Sequence, residues 1–144
     1  MKRIMIASHG RTASGMVSTI SMFLPTTDIT VIDAYVDDPT GNYDAQIERF
    51  LADLNAADEG YIFTDIYGGS VNQRVIDCIL RAGKQCPVKL IANCNVSVII
   101  EILTRSERLD DDEINQIIET AKPVLIIPES ISAKAVISDD EFFG

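Results

Sequence analysis

The chain contains a single histidine, His9, in the stretch Ile4-Met5-Ile6-Ala7-Ser8-His9-Gly10-Arg11-Thr12. A neutral imidazole carries a proton on one ring nitrogen and a lone pair on the other, so it can act as base, ligand or nucleophile near neutral pH. The second stretch with reactive side chains is Phe63-Thr64-Asp65-Ile66-Tyr67-Gly68-Gly69-Ser70. Here a carboxylate follows an apolar run, two glycines allow a close backbone approach, and a serine opens a segment of helical period. Backbone N–H groups at a helix start, together with a hydroxyl, form an anion site without any cationic side chain. If the two stretches meet, Asp65 can accept the Nδ1–H of His9, fix the tautomer and leave the Nε2 lone pair facing outward. Beside a phosphate-sized anion site such a histidine can carry a phosphoryl group. Ser70 and nearby backbone N–H groups, with Gly10 and Gly69 as the expected contributors, would hold the oxygens, while Asp65 offsets positive charge on the ring. Spacing alone also accommodates a solvated histidine and an ordinary Gly-Gly turn.

These residues need a scaffold that brings two loops together. Short apolar runs at Arg3 to Ser8, Ile29 to Val36, Tyr61 to Ile66, Val88 to Ala92 and Val124 to Ile127 alternate with segments of helical period, the pattern of a parallel sheet covered on both faces. Residues 43–54 place Tyr43, Ile47, Phe50, Leu51 and Leu54 on one stripe. A helix is expected from Ser70 to about Ala82, with Ser70-Val71-Asn72-Gln73 as a capping box and Gly83 as its stop. Asp110-Asp111-Asp112-Glu113 reads as another helix start, with acid where the helix dipole favours it, ahead of Ile114, Ile117 and Ile118. The fold class is therefore α/β, an open doubly wound sheet of five strands with helices on both faces. In such folds ligands bind beyond the carboxyl ends of the strands, where strand order reverses. His9 stands at one such end.

The 144 residues, 47% of them hydrophobic, match a single domain spanning 1–144, with 129–144 as a tail. A net charge of −10 argues against nucleic acid or an anionic membrane as partner. Cys78, Cys86 and Cys94 form no C-x-x-C pair and read as core thiols in a reducing compartment, without a disulfide framework or zinc site. No Asp/Glu/His cluster has metal-ligand spacing, and no metal or organic cofactor is expected. The N-terminus lacks the apolar length of a signal peptide and no run approaches a membrane span. A cytoplasmic protein that is not itself membrane-embedded is the expectation.

Ser8-His9-Gly10 near the N-terminus, Asp65-Ile66-Tyr67-Gly68-Gly69-Ser70 after the third strand and Ile91-Ala92-Asn93-Cys94-Asn95 after the fourth together resemble the IIA component of the mannose-family sugar phosphotransferase system. The resemblance implies a phosphoryl relay: the phosphocarrier protein HPr donates to the IIA histidine, which passes the group to a IIB component serving a membrane IIC/IID permease. It makes His9 the phosphorylated residue, Asp65 its orienting carboxylate, Ser70 a phosphoryl ligand and Tyr67 an aromatic wall, at a position where relatives often carry tryptophan. It also implies a homodimer that exchanges a C-terminal antiparallel strand, for which Pro123 to Pro128 is the candidate.

Two other phosphorylated folds match less well. Histidine phosphatases need an arginine before the histidine and a second histidine, but Ser8 occupies the first position and no second histidine exists. A receiver domain with Asp65 as acceptor needs an acidic pair after the first strand and a lysine after the fifth; Ser8-His9 and Ile127-Pro128 supply neither. A regulatory module using the same histidine differs from a relay only in its partners.

Overall fold

The computed structural model describes residues 1–26, 28–83 and 86–130. Four strands, β1 (Lys2–His9), β2 (Ile29–Ala34), β3 (Glu59–Thr64) and β4 (Val88–Ile91), form one parallel sheet in the order β2-β1-β3-β4. Five helices connect and cover them: α1 (Thr12–Ile20), α2 (Asp44–Ala52), α3 (Ser70–Ala82), α4 (Val96–Thr104) and α5 (Asp111–Thr120). The chain leaves β1 toward one edge to form β2 and later returns to β1's other side to form β3. The order thus reverses between β1 and β3, opening a crevice beyond their carboxyl ends.

Strand alternation sorts the core into two layers. Ile4 and Ile6 of β1 and Tyr61 and Phe63 of β3 point into one cluster with Ala13, Ile20, Val98, Ile99, Ile102, Ile114 and Ile117. Met5, Ala7 and Ile62 point into the other with Ile47, Phe50, Leu51, Val71, Val75 and Cys78. Helices α1, α4 and α5 therefore cover one face, and α2 and α3 the other. The expected stripe on α2 is buried through Tyr43, Ile47, Phe50 and Leu51. Gly83, at φ +90°, ends α3. Asp110 caps α5 with a full capping box: its carboxylate accepts the Glu113 N–H at 2.8 Å, and the Glu113 carboxylate accepts the Asp110 N–H at 2.8 Å. The acidic run is a helix start.

Three expectations change. Among the described residues the sheet has four strands rather than five. Residues 123–127 are not in a strand, and Val124, Leu125 and Ile126 are 73%, 86% and 65% exposed. A strand needs a neighbouring strand for its N–H and C=O groups, and none of the four described strands pairs with that segment. Ser70 does not cap α3: the capping position belongs to Gly69, and no side-chain capping bond is made. β3 starts at Glu59, two residues before the apolar run, since Glu59 and Gly60 pair in register with Lys2 and Arg3. The buried Glu59 carboxylate is held by the Lys2 ammonium at 3.2 Å, the Leu109 N–H at 2.9 Å and the Tyr61 hydroxyl. Burial alone would raise its pKa, but these donors together keep it below the usual value. Most of the proposed tail, 131–144, lies outside the described residues, and Pro128–Ser130 forms a single 3-10 turn.

Among the described residues no helix is long and apolar enough to cross a membrane, and no group of three or more His, Cys, Asp or Glu could hold a metal ion. All three thiols are free, and burial pushes each upward, Cys94 to about 12 with the Asp65 charge as a lesser cause.

Candidate functional site

The parity of β1 aims its last two residues apart. Ser8 follows Ile4 and Ile6 toward α1, where its hydroxyl accepts the Ala13 N–H at 2.7 Å and satisfies one of the open donors at that helix start. His9 follows Met5 and Ala7 toward the α2/α3 layer, where α3 begins. The β1/β3 pairing ends at Ala7 and Thr64, and a side chain takes over as acceptor. The Asp65 Oδ2 atom accepts both the His9 backbone N–H, at 2.8 Å, and Nδ1 of the ring, at 2.9 Å. Burial, the largest single influence on Asp65, pushes its pKa up. The hydrogen bonds from the His9 N–H, the His9 ring and the Ile66 N–H outweigh it, and the carboxyl sits below its ordinary value. An ionised Asp65 accepts only, so Nδ1 carries a proton, and in the neutral imidazole this leaves the lone pair on Nε2.

Nε2 faces the start of α3, 3.1 Å from the Ser70 hydroxyl. His9 and Asp65 differ in exposure, 37% against 12% for their side chains, so the carboxylate anchors the ring from beneath while the Nε2 edge stays open to solvent. At the start of α3 the first amide bonded back into the helix is that of Gln73, to the Gly69 carbonyl. Ser70, Val71 and Asn72 therefore present N–H groups that have no intrahelical acceptor, at the positive end of the helix dipole. The expected glycine amides are already committed: Gly10 donates to the Ala34 carbonyl at 2.9 Å and Gly69 to the Ile66 carbonyl at 3.0 Å. Gly10 turns the chain at φ +57°, and Gly69 leaves room beside the ring. A Cβ on Gly69 would come within 3.4 Å of His9 Cε1 and 3.2 Å of the Ile66 oxygen.

The loop from Asp65 to Ser70 is fixed by two asparagines. Asn72 accepts the Gly68 N–H at 3.2 Å and donates to the Thr64 hydroxyl at 2.9 Å, while Asn93, at φ +50°, accepts the Tyr67 N–H at 2.8 Å. Asn93 belongs to the segment after β4, whose Asn95 caps α4 through the Val98 N–H at 2.8 Å. The ends of three strands thus set the position of one loop.

His9, Asp65 and Ser70 lie together because β1 and β3 are neighbours. Tyr67 lies on the same loop, 75% exposed, and lines a groove with Asn72, Asn93 and Ile118 rather than stacking on His9. The ring that does stack on His9 is that of Tyr35, at 5.7 Å between centroids and 25° between planes, and its hydroxyl lies 2.9 Å from the Ser70 Oγ. Sequence reasoning missed Tyr35. The available signal was its place at the end of β2, beside the end of β1 in a sheet of this order.

A protein-family model described as PTS system fructose IIA component matches residues 3–122. Among solved structures the chain is similar to one from Klebsiella pneumoniae described as a candidate phosphoenolpyruvate-dependent sugar phosphotransferase system permease, with 26% identity, TM-score 0.68 and coverage of 85% of this chain and 90% of that one. It shares its fold with the mannose/sorbose-specific IIA subunit of Enterococcus faecalis, with 21% identity, TM-score 0.65 and coverage of 91% and 100%. A IIA protein associated with the fucose utilization operon of Streptococcus pneumoniae matches at 21% identity and TM-score 0.65, with coverage of 83% and 88%. A search of curated proteins finds no match. With the family model spanning the described sheet and all five helices, the chain belongs to the mannose-type IIA components of the sugar phosphotransferase system.

Proposed function

We propose that the chain is a phosphoryl carrier that accepts a phosphoryl group from phospho-HPr on Nε2 of His9 and passes it to a IIB component, which serves the membrane IIC/IID permease. The observation that carries this reading is the ring held between the Asp65 carboxylate at Nδ1 and the Ser70 hydroxyl at Nε2. In the accepting step the Nε2 lone pair attacks phosphorus as the donor N–P bond breaks, and the donor nitrogen keeps that electron pair. No proton has to be transferred, since the Nδ1 proton stays on the ring, hydrogen-bonded to Asp65, whose charge offsets that of the phosphorylated ring. The amides of Ser70, Val71 and Asn72 and the Ser70 hydroxyl are suited to the phosphoryl oxygens. No metal or organic cofactor enters the scheme, and the cytoplasm is its setting. Intact-mass measurement after incubation with phosphoenolpyruvate, enzyme I and HPr tests it: one acid-labile phosphoryl adduct is expected, and an unmodified chain beside phosphorylated HPr contradicts the relay.

Ser70→Ala separates the two roles expected of that residue. Its hydroxyl makes no capping bond and Ala suits a helix at least as well, so stability should fall by no more than about 1 kcal/mol, from the exposed bonds to His9 and Tyr35. Transfer to His9 should slow about tenfold through loss of one hydrogen bond to the reacting site. A large fall in the denaturant midpoint with normal transfer would make Ser70 structural only.

The reading includes a homodimer. The free edge of β4 borders a groove of about 360 Å³ lined by Leu90, Ile91, Ile114 and Ile118, and the exposed Val124-Leu125-Ile126 run offers the matching apolar strand. Exchange of that segment between two copies would bury both. Light scattering should give twice the chain mass, and Leu125→Asp should yield a monomer; a parent that is monomeric at micromolar concentration contradicts exchange.

A further inference from the structure

We infer that Tyr35 is a positioning residue for the Nε2 atom of His9, acting through Ser70; the role deepens the relay reading and rests on it. Proton accounting sets the direction of the chain. Asp65 Oδ2 accepts the His9 backbone N–H and lies 2.9 Å from Nδ1, so in the neutral imidazole Nδ1 donates and Nε2 accepts. The Ser70 hydroxyl has one proton and gives it to Nε2, across 3.1 Å. Tyr35, 2.9 Å from the same Oγ, must then be the donor to Ser70. Tyr35 O–H thus holds Ser70 in the one orientation that occupies the Nε2 lone pair. When Nε2 bonds to phosphorus that lone pair is gone, and the Ser70 proton is released toward a phosphoryl oxygen while Tyr35 keeps Oγ in place.

The chain is built to hold this tyrosine. Tyr35 sits at φ +67°, an unfavourable backbone region for a bulky aromatic residue. Such strain persists only where the surroundings impose it, and here they do. The ring lies on His9, meets the edge of Tyr43 at 6.4 Å, and passes so close to Gly41 that a Cβ there would stand 2.5 Å from Tyr35 Cε1. Gly41 itself has φ +67° and is buried. The loop after β2 is thus shaped to lay one phenol over the imidazole and its hydroxyl on Ser70.

Tyr35→Phe keeps the ring, the stacking and the backbone strain, and deletes only the donor. Transfer from phospho-HPr should slow about tenfold, the worth of one hydrogen bond. Because the effect passes through Ser70, the double variant Tyr35→Phe/Ser70→Ala should be no slower than Ser70→Ala alone. Additive losses of about a hundredfold, or a Tyr35→Phe rate equal to the parent, would overturn the inference. A second readout does not depend on the relay. In the unphosphorylated protein, the ¹⁵N resonance of His9 Nε2 should move in Tyr35→Phe in the same direction as in Ser70→Ala, and an unmoved resonance would overturn it. A parent chain that takes no phosphoryl group from HPr would end the relay reading, and the resonance comparison would still decide the role of Tyr35.

Discussion

His9→Ala should leave a folded protein that accepts no phosphoryl group. The loss is complete rather than partial because the chain has no second imidazole to substitute. Folding should survive, since the His9 side chain is 37% exposed and lies beyond the two core clusters. The backbone N–H of residue 9 can still donate to Asp65 in the variant. What disappears is the ring's pair of hydrogen bonds, worth about 1 kcal/mol each at an exposed site, so the urea midpoint should fall only modestly. Transfer from radiolabelled phospho-HPr checks the chemistry. Label retained on the variant would place the acceptor on another side chain.

Asp65→Asn should slow phosphoryl acceptance on the order of 10- to 100-fold while the acceptor remains present. The amide oxygen can take the place of Oδ2 and accept both the His9 N–H and Nδ1–H, so geometry and tautomer are retained. The negative charge that offsets the phosphorylated ring is lost, and a charge-assisted bond becomes a neutral one. Stability offers an independent check with a defined sign. Asp65 has a lowered folded pKa because the donors from His9 and Ile66 outweigh its burial. Its contribution is therefore present above the unfolded carboxylate value of about 3.9 and is lost as pH falls through the lower folded value. The parent should be the more stable at neutral pH, and the difference from Asp65→Asn should shrink below about pH 4. Equal transfer rates for parent and variant would remove Asp65 from the mechanism.

The candidate site was legible in its polar residues because each stood where an apolar run stopped. His9 ends β1, Asp65 follows β3 and Ser70 opens α3. Strand order then decides which ends meet, and only β1 beside β3 brings His9 to Asp65. Tyr35 was not legible, because an aromatic residue after a strand reads as one more strand position. Its departure lies in a positive φ that follows from packing against Gly41 and His9. Ser70 carries the composition of a helix cap, yet its hydroxyl is drawn to Nε2 and Tyr35 instead. The start of β3 was hidden for a different reason: a carboxylate at 59 reads as surface until Lys2, Tyr61 and the Leu109 amide are known to surround it. The Val124 to Ile127 run has strand composition, but hydrogen bonding along a strand requires a neighbour that composition does not reveal.

With one histidine in the chain, ¹⁵N-histidine labelling marks a single ring. The most direct measurement is the ¹⁵N and ³¹P spectrum of the labelled protein after incubation with phosphoenolpyruvate, enzyme I and HPr, held at basic pH where the phosphoramidate survives. One phosphoryl group bonded to Nε2 is expected, with Nδ1 still protonated and hydrogen-bonded to Asp65. A phosphoryl group on Nδ1, or a ring left unmodified beside phosphorylated HPr, would contradict the relay at Nε2.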